Sequence, residues 1–432
     1  MASWVSQLQN IAQQGDWAAV TQALQQQYHA GDWAQLSLDE TAVLVSLAIA
    51  ALRSGDFQDR WDIAKVFSGF GDAAILPLIN LVKDDDEELD TRWFAVRLLG
   101  KAHHPAAIQA LVELLNSDED DLSTMASEVL ATFSTDAIAP LSDLLRASQT
   151  RLLAVQALTQ IRHSATISPL LTVAQDDDPT IRAVTIEALG SFHDPQVPPI
   201  LIQALSDPSA SVRRAAIAGL AVRTDLTESL DLVSRFVDRL WDLNIGVCQQ
   251  AAIALGRIGT NAAVDALSRT IVAANTPATL QIDSVRSLAR IGTPSAFNAL
   301  ETLLDHPSRH VAEVYQESAI ALGRWTDPTV KNSAAQALGQ SLTKFAHDPR
   351  IQQAIALALG QLQHPIAIEP LIQLLANQDM AVRLHAIAAL KQIQPQQTHQ
   401  KLEELQNSQE ISPELRHGIA IALQEWQIEL PQ

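Results

Sequence analysis

TRWFAVRLLG (91–100), IRAVTIEALG (181–190), VRRAAIAGL (212–220), VRLHAIAAL (382–390) and LRHGIAIAL (415–423) are one phrase written five times. A small or apolar residue is followed by Arg, two variable residues, a run of small apolar residues and then Leu. Apolar positions three and four apart are those of one helix face. Marking the ninth position of every copy gives Phe67, Leu99, Leu130, Leu158, Leu189, Leu220, Leu255, Leu288, Leu322, Leu359, Leu390 and Leu423. Successive marks lie 28 to 37 residues apart, and a period of that length defines a repeat architecture. Between phrases runs a second helix-period segment, such as HPAAIQALVELLN (104–116) or HPIAIEPLIQLLA (364–376). Pro stands near its start, where the missing N–H costs no bond. Asp- or Asn-rich turns lead into the next Arg-bearing helix, whose N-terminus favours acidic residues. Each repeat is thus predicted to be helix A, turn, helix B, turn. One such pair cannot bury its apolar face, and stacked pairs can.

Composition agrees. Hydrophobic residues make up 47% of the 432, yet aromatics only 4%, so Ala and Leu carry the apolar quota and favour helix. The net charge of −20 repels phosphate backbones and anionic membrane surfaces, and it steers basic partners toward the chain. A single cysteine, Cys248, excludes an internal disulfide and any Cys-rich zinc or iron–sulfur site built from this chain alone. The opening MASWVSQLQNIAQQGDW lacks the basic and apolar regions of a secretory signal. The longest apolar stretches, such as AVLVSLAIAAL (42–52), are shorter than the roughly 20 residues that span a bilayer. The sequence reads as cytoplasmic, with no nucleic acid and no membrane among its partners. Residues 1–56 are helical but lack the phrase and are expected to form an N-terminal cap, with GDWAAV (15–20) and GDWAQL (31–36) as related helix starts. The repeats then fill 57–432.

LGRIG (255–259), LARIG (288–292) and ALGSFHDP (188–195) resemble the HEAT-like repeats of the phycobilin lyase family, whose unit reads V-R-x-x-A-A-x-A-L-G-x-I-G-D-P. The resemblance covers about residues 57–425. It implies an all-α fold, an α-solenoid superhelix of about twelve helical hairpins. It is specific for fold and weak for function, because such repeats occur in many unrelated scaffolds. The whole chain is also similar to cyanobacterial HEAT-repeat proteins that partner an A-type iron–sulfur carrier.

In such repeats the Arg at phrase position 2 bonds Asp side chains and carbonyls of neighbouring turns. Here that ladder is Arg60, Arg92, Arg151, Arg182, Arg213, Arg383 and Arg416. It breaks at Ser123 and again at Cys248, Gln281, Tyr315 and Gln352. The same block, about 240–360, has the longest gaps. Lost rungs and insertions together suggest a kink there, and neutral drift is the alternative.

Positions 3 and 7 share a helix face and in HEAT solenoids look into the concave side. The first two copies place Trp61 with Lys65 and Trp93 with Arg97, residue types enriched at binding hot spots. The alternative is that both indoles pack on the N-terminal cap as core. Later copies offer Ile253, Ile282, Ile320, Leu357, Leu384 and Ile421, with Arg286, Gln316, His385 and His417 among them. These form either an apolar groove for a partner helix or, as a tight superhelix would require, plain core. The acidic runs 84–88, 118–121 and 176–178 all precede a helix B. They are expected to be a solvated edge that satisfies helix N-termini, with a docking stripe for a basic partner as the other reading.

Catalytic signatures are missing. The sequence contains no Gly-rich phosphate loop, no Gly-x-Ser-x-Gly and no dinucleotide fingerprint. It lacks the His-Glu pairs that HEAT-repeat di-iron hydroxylases carry, and His103, His104, His193, His306, His347 and His364 fall in turns. Cys248 opens a helix B, where the dipole can activate a thiolate able to lend a ligand to a partner's cluster; the other reading is a small core residue. The expectation is a non-enzymatic scaffold that holds a protein in its concave face. The resemblance implies an A-type iron–sulfur carrier whose cluster is protected, with no intrinsic cofactor. The alternative it implies is a phycobilin lyase, isomerase or phycobilisome chaperone acting on a phycobiliprotein and its bilin.

Overall fold

The computed structural model describes residues 3–31, 33, 36–306, 309–325 and 327–427. Among them there is no strand, and the fold is an all-α solenoid of stacked helical hairpins. By internal packing the chain divides into two compact units, Met1–Ile200 and Leu201–Gln432.

In the first unit, helices Ser3–Gln13, Trp17–Ala30 and Leu38–Ser54 precede the repeats. Asp16 caps the second, accepting from the Ala19 N–H at 3.0 Å. GDWAQL lies partly outside the described residues. The helix after it starts at Leu38, not at its Trp33, because Ser37 and Glu40 form a reciprocal capping box. The phrases of this unit occupy Phe57–Ala64, Leu89–Ala102, Asp120–Thr132, Ser148–Gln160 and Pro179–Leu189. The first is the short one. It stops at Ala64, and Phe67 falls in a 3₁₀ stretch, Phe67–Ala74, that turns at Gly71 with φ +53°.

In the second unit the phrases lie on Ala210–Ala221, Ile245–Ile258, Ala278–Ile291, Ala312–Gly323, Pro349–Leu362, Met380–Gln392 and Pro413–Gln427. The longer repeats of the 240–360 block gain their length as helix. The A helices Ile138–Leu144 and Ile167–Val173 have seven residues each, whereas Asn261–Val272 has 12 and Pro328–Lys344 has 17.

The ninth-position Leu is fully buried in ten consecutive copies, from Leu99 to Leu390, each worth about 2 kcal/mol relative to exposure. The glycine after it sets how closely successive B helices pack. A Cβ on Gly323 would stand 2.6 Å from Cα of Ala358, inside any real contact.

The Arg ladder is present. Arg151 donates through Nε to the Leu145 carbonyl at 2.7 Å and through Nη1 to Asp176 at 2.7 Å. Arg182 donates to the carbonyl of the same Asp176 at 2.7 Å. Arg60 reaches Glu88 and Asp90, Arg92 reaches Asp85 and the Val82 carbonyl, and Arg416 the Ser408 carbonyl. The acidic runs are therefore only partly a solvated edge, since several of their carboxylates receive these guanidinium groups.

The rungs that lack Arg are largely replaced, not lost. The Cys248 thiol donates to the Asp242 carbonyl at 3.1 Å. The Tyr315 hydroxyl donates to the His306 carbonyl and accepts from the N–H groups of Arg309 and His310, both at 3.1 Å. Gln352 accepts from Asn377 at 2.8 Å, and Ser123 donates to the Asp120 carbonyl at 3.0 Å. Gln281 is buried.

Candidate partner-binding surfaces

In the first unit the structure assembles one cation and two indoles: Trp93 with Arg97, the pair the spacing named, and Trp61 on the same cation instead of with Lys65. The Arg97 guanidinium lies 4.8 Å from the Trp93 ring centroid, one helical turn away, and 5.1 Å from that of Trp61 on the preceding phrase helix. Lys65 does not join Trp61. The helix ends at Ala64, and the ammonium pairs with Asp62 at 2.6 Å. That bond, with a second from Gln58, holds the Asp62 carboxyl below its ordinary range. Phe57 and Phe94 extend the aromatic set, with centroids 5.5 Å apart. Trp61 is 40% exposed and Phe57 60%, while Trp93 is half-buried. Neither indole is fully buried; both lie against Arg97 and the Phe94 ring, and the reading that buries both as core is corrected.

In the second unit the apolar positions 3 and 7 also reach the surface. Ile253, Leu357 and Leu384 are 39%, 41% and 44% exposed; Ile282, Ile320 and Ile421 are half-buried. The core reading is therefore corrected for Ile253, Leu357 and Leu384, while Ile282, Ile320 and Ile421 are partly covered. Burial in these helices falls on flanking residues such as Leu255 and Leu359. Arg286 is clamped by Glu317 of the next phrase helix, Nε and Nη2 donating at 3.0 and 2.9 Å. With Arg290, Arg324 and Trp325 it lines an open cavity of about 370 Å³. Gln316 is half-buried, and His385 and His417 are exposed. His385 Nδ1 is 2.8 Å from the Ala381 carbonyl.

Cys248 is 4% exposed. Burial pushes its thiol up, outweighing the hydrogen bond to Asp242. The reading of an accessible, dipole-activated thiolate is corrected: the residue is a small buried rung. Among the described residues no group of three or more His, Cys, Asp and Glu is placed to hold a metal ion. Several turn histidines have local work instead. His104 and His163 each accept through Nδ1 from the N–H two residues on, both at 3.2 Å. Among the described residues no single helix is long and apolar enough to cross a membrane.

A feature the sequence reading missed lies beside Trp93. A cavity of about 370 Å³ opens between Phe57, Trp93, Phe94 and Met125, with the carboxylates of Asp90, Asp121 and Glu128 at its edge. The available signal was Glu128, which holds position 7 of the third phrase, the place Arg97 holds in the second.

The model of the HEAT-repeat family matches residues 45–131, 138–221, 198–277 and 335–424. Among solved structures the chain is similar to Kap95p, described as inducing the switch loops of RanGDP to adopt the GTP-bound conformation. That likeness has 13% identity and a TM-score of 0.56, over 97% of this chain and 63% of that one. It is also similar to importin β, with 12% identity and a TM-score of 0.54, over 93% of this chain and 64% of that one. The chain thus spans less than two thirds of either, and at these identities the likeness is one of fold. A search among curated proteins returned no match.

Proposed function

Because this chain belongs to the HEAT-repeat family, we propose that it is a protein-binding scaffold whose phrase helices carry the partner surface. The observation that carries this reading is the Trp61–Arg97–Trp93 cluster on consecutive phrase helices, with Trp61 exposed and Trp93 and Arg97 partly so. Rigid indoles and a guanidinium lose little entropy on contact and are the residue types that dominate interface energies. The exposed Ile253, Leu357 and Leu384 add an apolar surface on the second unit. We place the protein in the cytoplasm, in keeping with its single, unpaired thiol.

The partner we favour is an A-type iron–sulfur carrier, as the sequence resemblance implies. In this reading the carrier supplies every ligand of its own cluster, since Cys248 is buried and bonded to a carbonyl. The scaffold contributes by covering the cluster from solvent. The test is anaerobic co-purification with the carrier, followed by the decay of cluster absorbance in air. Slower decay in the complex than for the carrier alone supports the reading, and equal decay sinks it. Recovery of a phycobiliprotein subunit with zinc-induced bilin fluorescence would favour bilin transfer instead. That alternative needs cations free for propionates, whereas Lys65 is held by Asp62 and Arg97 lies against two indoles.

A further inference from the structure

The cavity beside Trp93 combines aromatic walls with three carboxylates at its edge. Its walls are Phe57, Trp93 and Phe94, with the Trp93 and Phe94 centroids 5.2 Å apart. Aromatic faces carry negative potential and attract cations, and Trp93 already holds one, Arg97, which is not part of the cavity wall. Of the three carboxylates at the edge, Asp90 is shared with Arg60 at 3.4 Å. Asp121 stands in the first turn of its helix, where the dipole favours it. Glu128 stands two turns further along the same helix, beyond the reach of its N-terminal dipole. Asp121 and Glu128 are exposed and have no ion-pair partner among the described residues. Both carboxylates stand open to a cation arriving from outside, beside the aromatic wall.

We propose that this cavity takes a lysine or arginine side chain of the bound partner, its charge over the Trp93 and Phe57 rings and its donors on Asp121 and Glu128. The inference rests on the scaffold reading and gives its partner a chemistry: a basic side chain carried on an apolar segment. The cavity, about 370 Å³, is of a size for one long side chain. A net charge of −20 draws such a segment in.

The probe is N-acetyl-arginine amide, titrated while the indole N–H resonances are followed by NMR. N-acetyl-citrulline amide, the same shape without the charge, is the control. The proposal expects a saturable shift of the Trp93 resonance with arginine, weakened by salt, and little with citrulline. Asp121→Asn with Glu128→Gln keeps the fold and the rings and is expected to weaken arginine binding about fivefold, the scale of two partly exposed charge contacts. No shift, an equal shift with citrulline, or unchanged affinity in the double variant would each overturn it. The double variant is also used to capture the partner. Capture undiminished would leave the scaffold reading standing and remove this cavity from it. Failure of the unaltered chain to bind any protein, with arginine still titrating, would do the reverse.

Discussion

The guanidinium of Arg213 meets the carboxylate of Asp242 edge to edge, Nε to Oδ2 at 2.8 Å and Nη2 to Oδ1 at 2.6 Å. Arg213 belongs to one repeat and Asp242 to the turn that opens the next phrase helix. The backbone carbonyl of the same Asp242 receives the Cys248 thiol. Asp242 thus joins two successive rungs, one through its side chain and one through its main chain. Asp176 does so between Arg151 and Arg182, and Asn377 between Gln352 and Arg383.

Asp242→Ala is expected to lower the unfolding free energy of the second unit by about 3 kcal/mol, because it leaves a largely buried guanidinium without its counter-charge, held only by the Asp207 and Pro208 carbonyls. Burial pushes the Asp242 carboxyl up, but the bond from Arg213, the Asn244 N–H and the charges of Arg213 and Arg239 outweigh this and hold it below 3.8. A depressed carboxyl stabilises the fold above its unfolded pKa, and the contribution is lost as pH falls through the folded value. The difference between native and variant chains in urea melts is therefore expected at neutral pH and should shrink below about pH 4.

Tyr315→Phe removes one donor and one acceptor from a buried site. The His306 carbonyl and the N–H groups of Arg309 and His310 lose their shared partner. The cost is expected to be about 1–3 kcal/mol, read by chemical denaturation. A cost near zero would mean that water replaces the hydroxyl and that this rung is dispensable.

Cys248 is expected to react with a thiol reagent only on unfolding, since it is buried with its thiol pushed up. Labelling rates measured across a urea series should follow the unfolded fraction. In the complex, Cys248→Ser should leave a carrier's cluster absorbance unchanged. Fast labelling of the native chain would restore the cysteine as a ligand candidate.

Trp61→Ala combined with Trp93→Ala is expected to weaken partner binding by about 2 kcal/mol, roughly thirtyfold, with little loss of helix by circular dichroism. Calorimetric titration with the purified partner measures it. Unchanged affinity would remove the aromatic cluster from the interface.

Much of the fold was legible because one phrase recurs with Leu at a fixed place, and a Leu buried in ten consecutive copies leaves a period. The surfaces were less legible. Trp61–Lys65 and Trp93–Arg97 look alike as strings, yet the first helix ends at Ala64 and sends Lys65 to Asp62, so both indoles share Arg97. Ile253, Leu357 and Leu384 lie on helices with several apolar faces, and no pattern tells which of these the neighbours cover. The substituted rungs were hidden for another reason. Cys, Tyr and Gln reach the ladder's partners through different atoms, so a motif defined by Arg registers them as losses.

Because turn residues such as Asp242 and Asn377 answer to the helix before them as well as the one after, a repeat is not a free-standing module. The pair Gln352–Asn377 is neutral on both sides where Arg213–Asp242 is charged on both. Exchanging only one of these repeats for the other would set a guanidinium against an amide, or leave a carboxylate without its cation. Order along the array is thus encoded in matched neighbours, which restricts shuffling and internal deletion. Tyr315 is a break in that rule, since its hydroxyl bonds stay within the loop before its own helix. Its ring nevertheless packs on Phe345 of the next repeat, centroids 4.8 Å apart, and Arg350 meets Glu313 across the same junction at 3.7 Å, so the match between neighbours is there carried by other side chains.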